Sequence, residues 1–219
     1  MSKVPKSVEE KGSRVVSDNA GYIACMTIIK ARLFTIQKIL NNEIFYPYEM
    51  LRVESIYFQF RMMIELLYLS SIVSRKKKLS VIWPRSEKEY QPSEIRKFLK
   101  GELDDYFPYP FIHKDKTDGV KNLEFFDRPI SEADTYEFFN RCHQYLHEPN
   151  PYKKDWSKRD SECAQLINEA VDKVHMFWRL LQNHYRVTEL DDGEKVGIIC
   201  SMGNEEKAVV VVANVIPDK

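Results

Sequence analysis

The fold is decided by one stretch of the chain, residues 53–73, with the sequence VESIYFQFRMMIELLYLSSIV. Its apolar side chains fall on every side of a helix and leave little polar surface, which is typical of a helix in the middle of a bundle. We predict that this helix begins after Pro47 and continues to about Lys76. It ends in the basic run Arg75 to Lys78, which suits the negative end of the helix dipole, with a nucleic-acid patch as the alternative.

Three further long helices are predicted around this one, over about residues 17–42, 131–147 and 158–184. Ser131 is predicted to cap the second of them. Apolar residues spaced by three and four form the buried face of the first: Ile23, Met26, Ile29, Leu33, Ile36 and Leu40. The predicted up-and-down bundle covers residues 17–184, and the polar residues 1–16 before it are predicted to form a mobile tail.

Residues 79–130 contain several prolines and are predicted to be an irregular excursion from the bundle. Within them only residues 93–100 are predicted to form a short capped helix, and Thr117-Asp118-Gly119 indicates a small hairpin. The excursion also contains the aromatic segment Tyr106 to Phe111. This segment either plugs one end of the bundle or stacks on bases or a peptide.

The character of the chain changes after His184, where β-branched residues become frequent. Three short segments separated by turn signals predict an antiparallel β meander over residues 185–219. A meander of about thirty residues is too small to fold alone, so it must pack on the bundle or on a partner. The predicted fold class is therefore mainly α, an up-and-down helical bundle with a small C-terminal antiparallel β meander.

The composition excludes several classes of protein. Lys+Arg and Asp+Glu both number 33, so no net field attracts nucleic acid, although a local patch can still bind it. Charged residues interrupt the apolar segment Ile23 to Leu40 too often for a membrane span. The four cysteines are widely spaced, which favours reduced thiols. We therefore expect a cytoplasmic protein that does not enter a membrane.

The helix predicted to end at His147 carries the best candidate for chemistry. Four of its polar side chains fall within a sector of about 60° on an ideal helix: Tyr136, Asn140, His143 and His147. Arg141 lies about 120° from His147, so the two converge only across a second copy of the helix or where the last turn unwinds before Pro149. The helix dipole favours a protonated His147, suited to a general acid or a phosphate ligand. The alternative is local pairing of polar side chains at a helix end.

A second polar group lies on the apolar helix. Glu54, Arg61 and Glu65 fall within about 40° of one another, and Arg61 and Glu65 have ion-pair spacing. Charges on such an apolar helix are expected to be paired or functional. They form either an internal ion pair that fixes the helix register or a support that orients the imidazoles of His143 and His147.

Other signatures of chemistry are weak or missing. His143 and His147 have the spacing of a metal-binding pair and Glu148 follows them, but no second ligand pair stands out. Glycine-rich phosphate loops and serine-hydrolase elbows are missing, and the chain has seven glycines. We therefore predict no metal and no cofactor.

Arg141, the five residues that follow it and His147 resemble the Arg-x(4 to 6)-His motif of the HEPN superfamily, whose members are helical bundles and often homodimers. The resemblance covers about residues 17–184, including Arg61-x-x-x-Glu65 on an inner helix. The ending Leu146-His147-Glu148-Pro149-Asn150-Pro151 also resembles that of a group of bacterial proteins, which makes Asn150 a further candidate.

The resemblance implies a metal-independent endoribonuclease. It also implies a role as an effector of a bacterial stress or anti-phage system. In such an enzyme Arg141 and His147 from two subunits hold the scissile phosphate and assist attack by the 2′-hydroxyl group, which leaves a cyclic phosphate, and His143 assists them. The implied partners are a second copy of the chain and RNA. The alternative is a non-catalytic HEPN-like interaction module whose bundle and β meander present a surface to a partner protein.

Overall fold

The computed structural model describes residues 19–73, 91–102, 106–117, 120–146, 159–189, 195–203 and 209–213. Within these ranges the chain forms five helices: α1 Ala20–Leu40, α2 Glu49–Val73, α3 Pro92–Glu102, α4 Glu132–Tyr145 and α5 Arg159–Leu181. It also forms five strands: β1 Tyr109–Thr117, β2 Val120–Phe125, β3 Asn183–Glu189, β4 Lys195–Ser201 and β5 Val209–Ala213. The predicted fold class, mainly α with an antiparallel meander, is confirmed. The predicted N-terminal tail and the basic run after α2 lie outside the described residues.

The chain divides into two compact units. The helical unit consists of Ile28–Glu65 and Pro129–Arg179, and the sheet unit consists of Met1–Thr27, Leu66–Arg128 and Leu180–Lys219. The predicted division placed the boundary after residue 184. The observed sheet unit instead includes the excursion and the ends of three helices, because strands of the excursion pair with the meander.

The sheet has five antiparallel strands in the order β2-β1-β3-β4-β5. The meander β3-β4-β5 follows the sequence prediction, with His184 opposite Cys200 and Cys200 opposite Val210. The hairpin of β1 and β2 forms where Thr117-Asp118-Gly119 predicted it, and β1 joins β3 through the pair Tyr109 and Tyr185. This pairing was not predicted, since the two residues are far apart in the sequence.

One face of the sheet packs on helix ends of the same unit. His184 and Arg186 of β3 point to this face and are almost fully buried. The Arg186 guanidinium lies 5.1 Å from the ring centre of Tyr22 on α1 and donates to the carbonyl oxygens of Ser70 and Ser71 on α2. The sheet is thus held to the helix ends by a buried cation as well as by apolar contacts.

Aromatic rings form the centre of the helical unit. Phe60 of α2 is fully buried, and its ring centre lies 5.1 Å from that of Phe138 on α4 and 6.0 Å from that of Phe177 on α5. The predicted buried stripe of α1 is confirmed at Met26, Ile29, Leu33 and Ile36, which have no exposed surface. The periodicity of apolar residues therefore identified the core face of this helix correctly.

α2 is less enclosed than its sequence predicted. Among the described helices it is the one that is long and apolar enough to cross a membrane. Of its most apolar stretch of 18 residues, 56% is buried inside the protein. Leu51 and Phe58 are nevertheless 42% and 45% exposed. Among the described residues, neighbours cover one broad face of α2 rather than its whole circumference.

The helix ends follow local sequence signals. Ser131 caps α4 by accepting a hydrogen bond from the backbone N–H of Asp134, as predicted. α4 ends at Tyr145. His147 and Asn150 lie outside the described residues. At the other end of the unit, Arg52 donates to the carbonyl oxygens of the last two residues of α1, which a helix leaves without partners of its own.

Candidate functional site

Arg141 is held by a carboxylate of the neighbouring helix. Its Nη2 atom lies 2.6 Å from Oε2 of Glu169 on α5, and the two side chains are 40% and 20% exposed. The hydroxyl group of Tyr57 on α2 donates to the same oxygen at 2.9 Å and lies 3.1 Å from the carbonyl oxygen of Leu166. Three helices thus meet at one carboxylate oxygen.

Tyr145 completes this arrangement, which we call the Glu169 cluster: Tyr57, Arg141, Tyr145 and Glu169. The ring of Tyr145 lies edge to face with that of Tyr57, with 4.9 Å between the ring centres. A hydrogen bond to Tyr145 and the charge of Glu169 raise the pKa of Arg141 above its ordinary value. Burial, with the hydrogen bond to Glu169, raises the pKa of Tyr57. Arg141 is therefore charged and Tyr57 is neutral at neutral pH.

Cys142 lies next to Arg141 in the sequence but belongs to the core. It has no exposed surface, and burial followed by the negative charge of Glu169 raises the pKa of its thiol. The thiolate is the nucleophilic form of cysteine, so this thiol is unsuited to covalent catalysis. All four cysteines are free thiols, as the sequence predicted.

The three charged residues of α2 form no ion pair with one another among the described residues. Glu54, Arg61 and Glu65 are all half-buried, and among the described residues no nitrogen of Arg61 lies within 4.0 Å of a carboxylate oxygen of Glu65. The internal ion pair, one of the two alternatives drawn from the sequence, is therefore not formed among the described residues. Arg61 instead lies close enough to Cys142 for its charge to lower the pKa of that thiol. Its Nε atom is buried without a hydrogen-bond partner in the part of the chain that the structure describes.

His143 and Arg141 occupy different sides of α4. Asn140 and His143 are exposed, and the half-buried Tyr136 stacks on the ring of Phe139. Positions 141 and 143 are about 200° apart on a helix, and the ion pair of Arg141 is made with α5. The sequence predicted that Arg141 points away from the side of the helix that carries His143 and His147. For His143 the structure agrees with this prediction. The position of His147 stays a prediction, since it lies outside the described residues.

Arg141 also lines a cavity of about 240 Å³ between α4 and α5. Lys173 supplies a second cation, and its Nζ atom lies 5.2 Å from the ring centre of Phe138. Asp134 and Glu137 supply two carboxylates at the same cavity. Its volume is below that of pockets for drug-sized ligands and suits a small polar group such as a phosphate or one part of a nucleotide.

Sequence reasoning missed Tyr57, Tyr145, Glu169 and Lys173. Glu169 and Lys173 are four residues apart on α5, and each directly precedes a buried residue, Ala170 or Val174. This spacing was a signal in the sequence that could have marked both residues. Such flanking positions are suited to contact a neighbouring helix. Which helix they contact depends on packing and cannot be read from periodicity.

We expect Glu169→Gln to lower the free energy of unfolding by about 1 kcal/mol, because a charge-assisted bond is lost while its partly exposed position limits the effect. Urea unfolding at neutral pH measures this change. Asp172→Asn, which removes an exposed carboxylate of the same helix, is the matched control and should leave the stability unchanged. Equal losses in the two variants would contradict a specific role of the Glu169 cluster.

Among the described residues no three His, Cys, Asp or Glu side chains are grouped to hold a metal ion. Comparison of the chain with protein-family models, with curated proteins and with solved structures gives no match. The resemblance described from the sequence therefore depends on its motif residues alone.

Proposed function

We propose that the protein is a HEPN-like, metal-independent endoribonuclease that acts as a cytoplasmic homodimer in a bacterial stress or anti-phage response. The observation that supports this proposal is the state of Arg141. Its guanidinium is oriented by Glu169, remains 40% exposed and lines a cavity with Lys173. A cation oriented before its ligand arrives is well suited to bind a phosphodiester.

In the proposed reaction Arg141 binds a non-bridging oxygen of the scissile phosphate. His143 accepts the proton of the 2′-hydroxyl group as its oxygen attacks phosphorus, and the protonated His147 donates a proton to the 5′-oxygen as the bond from phosphorus to that oxygen breaks. The leaving fragment thus ends in a 5′-hydroxyl group, and the other fragment keeps a 2′,3′-cyclic phosphate. His143 assists from the exposed face of α4, and the partner copy brings a second Arg141 and His147 to the same cleft.

Cleavage of a labelled single-stranded RNA in the presence of a chelator tests this proposal. We expect His147→Ala and Arg141→Ala to abolish cleavage, and a 2′-deoxy substitution at the cleaved position to block it. His175→Ala, which removes an exposed histidine of α5, is the control and should cleave normally. Unchanged cleavage in the first two variants, or no cleavage by the unsubstituted protein over a broad set of RNAs, would overturn the proposal.

A second candidate is the non-catalytic interaction module. The specific observation in its favour is that Glu169 already pairs with Arg141, as expected of an ion pair whose role is to join α4 to α5. Arg141→Lys separates the two functions, because it keeps the charge and loses the planar guanidinium. The enzyme predicts a severe loss of cleavage in this variant. The module predicts a small change in stability and unchanged binding of its partner.

A further inference from the structure

Aromatic side chains gather on the face of the sheet opposite to the one that carries His184 and Arg186. The register pairs Tyr109 of β1 with Tyr185 of β3, and Phe111 of β1 with Phe125 of β2. The rings of Phe125 and Tyr185 meet edge to face with 5.6 Å between their centres. We call Tyr109, Phe125 and Tyr185 the aromatic face.

Two rings of the aromatic face are exposed, whereas His184 and Arg186 on the other face are buried. Tyr109 is 39% exposed and Phe125 is 51% exposed, whereas Phe111 beside them is buried. Antiparallel sheets with one solvated face normally place polar side chains there, so clustered rings at such a position indicate a binding surface.

A cation lies against this surface. The guanidinium carbon of Arg128 lies 3.9 Å from the ring centre of Tyr109 and 5.5 Å from that of Phe107. Its Nε and Nη2 atoms donate to the carbonyl oxygens of Pro108 and Phe107, which fixes the plane of the group. Within the described ranges no carboxylate oxygen lies within 4.0 Å of Arg128. The aromatic face therefore carries a positive charge that no carboxylate there pairs with, which is complementary to a phosphate.

We propose that the aromatic face binds single-stranded RNA, with bases stacked on Phe125 and Tyr109 and a backbone phosphate at Arg128. The proposal rests on the proposed function for the class of ligand, and adds the surface that holds it and the requirement for a single strand. Unpaired bases expose flat faces that stack on aromatic rings, whereas a duplex keeps its bases stacked inside. Exposed rings beside an oriented guanidinium match both parts of such a ligand.

Fluorescence anisotropy with a labelled single-stranded RNA of about ten nucleotides tests the proposal. The full chain carries His147→Ala throughout, so that the RNA stays intact. We expect Phe125→Ala and Tyr109→Ala each to weaken binding about tenfold, and Phe125→Tyr to bind normally. Arg128→Gln should weaken binding and reduce the dependence of affinity on salt by about one counterion.

Two variants serve as matched controls. Ile112→Ala removes a side chain that is 50% exposed on the same strand as Tyr109 but on the other face of the sheet. Phe45→Ala removes an aromatic side chain of the helical unit that is 86% exposed. Both should bind the RNA as the parent does. Circular dichroism of all variants establishes that they are folded.

The results separate this inference from the proposed function. RNA cleavage that depends on His147 but not on Phe125 or Tyr109, with unchanged binding, would overturn the inference and leave the enzyme. Binding that depends on the aromatic face in a protein that cleaves no RNA would support the inference and overturn the enzyme. Equal affinity for duplex RNA would show that the face does not select unpaired bases and would overturn the inference. Binding of a peptide but of no RNA would assign the face to another ligand and also overturn it.

Discussion

Acidification from pH 7 to about pH 4 is expected to lower the free energy of unfolding by about 3 kcal/mol through His184 alone. The ring of His184 has no exposed surface. Nδ1 lies 2.8 Å from the carbonyl oxygen of Leu181, so it carries the proton, and Nε2 accepts a hydrogen bond from the hydroxyl group of Tyr22. Burial, partly opposed by the hydrogen bond to Leu181 and assisted by the nearby charge of Arg186, lowers the pKa of His184 to about 4.

The sign of the effect follows from these contacts. The unfolded chain takes up a proton at His184 below an ordinary pKa of about 6.5, whereas the folded protein resists it until about pH 4. The stabilisation is therefore complete above the unfolded pKa and is lost as the pH falls from there through the folded pKa.

Urea unfolding at pH 7 and at about pH 4 measures the change. His184→Gln offers Tyr22 an uncharged acceptor, so the loss of stability between the two pH values should shrink by about 3 kcal/mol. His175→Gln changes an exposed histidine and should show the pH dependence of the unsubstituted protein. An equal pH dependence in both variants would show that carboxylates alone cause the acid effect.

Phe60→Ala is expected to lower the free energy of unfolding by about 4 kcal/mol. The Phe60 side chain is fully buried and contacts the rings of Phe138 and Phe177, so its removal leaves a cavity among aromatic groups. Phe58→Ala, two residues away on the same helix, is the matched control. Because Phe58 is 45% exposed, its loss should amount to less than about 1 kcal/mol. Similar losses at the two positions would contradict the observed orientation of α2.

These two phenylalanines also mark how far the sequence predicts the fold. Amphipathic α1 revealed its buried face through periodicity, and Met26, Ile29, Leu33 and Ile36 are buried as expected. α2 is apolar on nearly every side, so its pattern does not distinguish Phe58 from Phe60. The meander and the hairpin were predicted separately from local signals. The pairing of β1 with β3 at Tyr109 and Tyr185 was not predicted, because it joins residues that are far apart in the sequence.

The candidate site shows the same division between local and distant information. The helical angle predicted correctly that Arg141 points away from His143. Its partner Glu169 depends on how α4 and α5 pack, which the spacing of residues within one helix does not contain. The pair of Arg61 and Glu65, one of two alternatives drawn from the sequence, is not formed among the described residues, and the charge of Arg61 instead lowers the pKa of Cys142 on α4.

The sheet unit is built from three separate parts of the chain, and this has a consequence for the order of its assembly. β1 and β2 can form a hairpin early, but the neighbour of β1 on its other side is β3, which begins at Asn183. During synthesis the hairpin must therefore wait with an open edge until nearly the whole chain has emerged. A fragment that ends before β3 should expose this edge and aggregate, because it lacks the strands that complete the sheet unit.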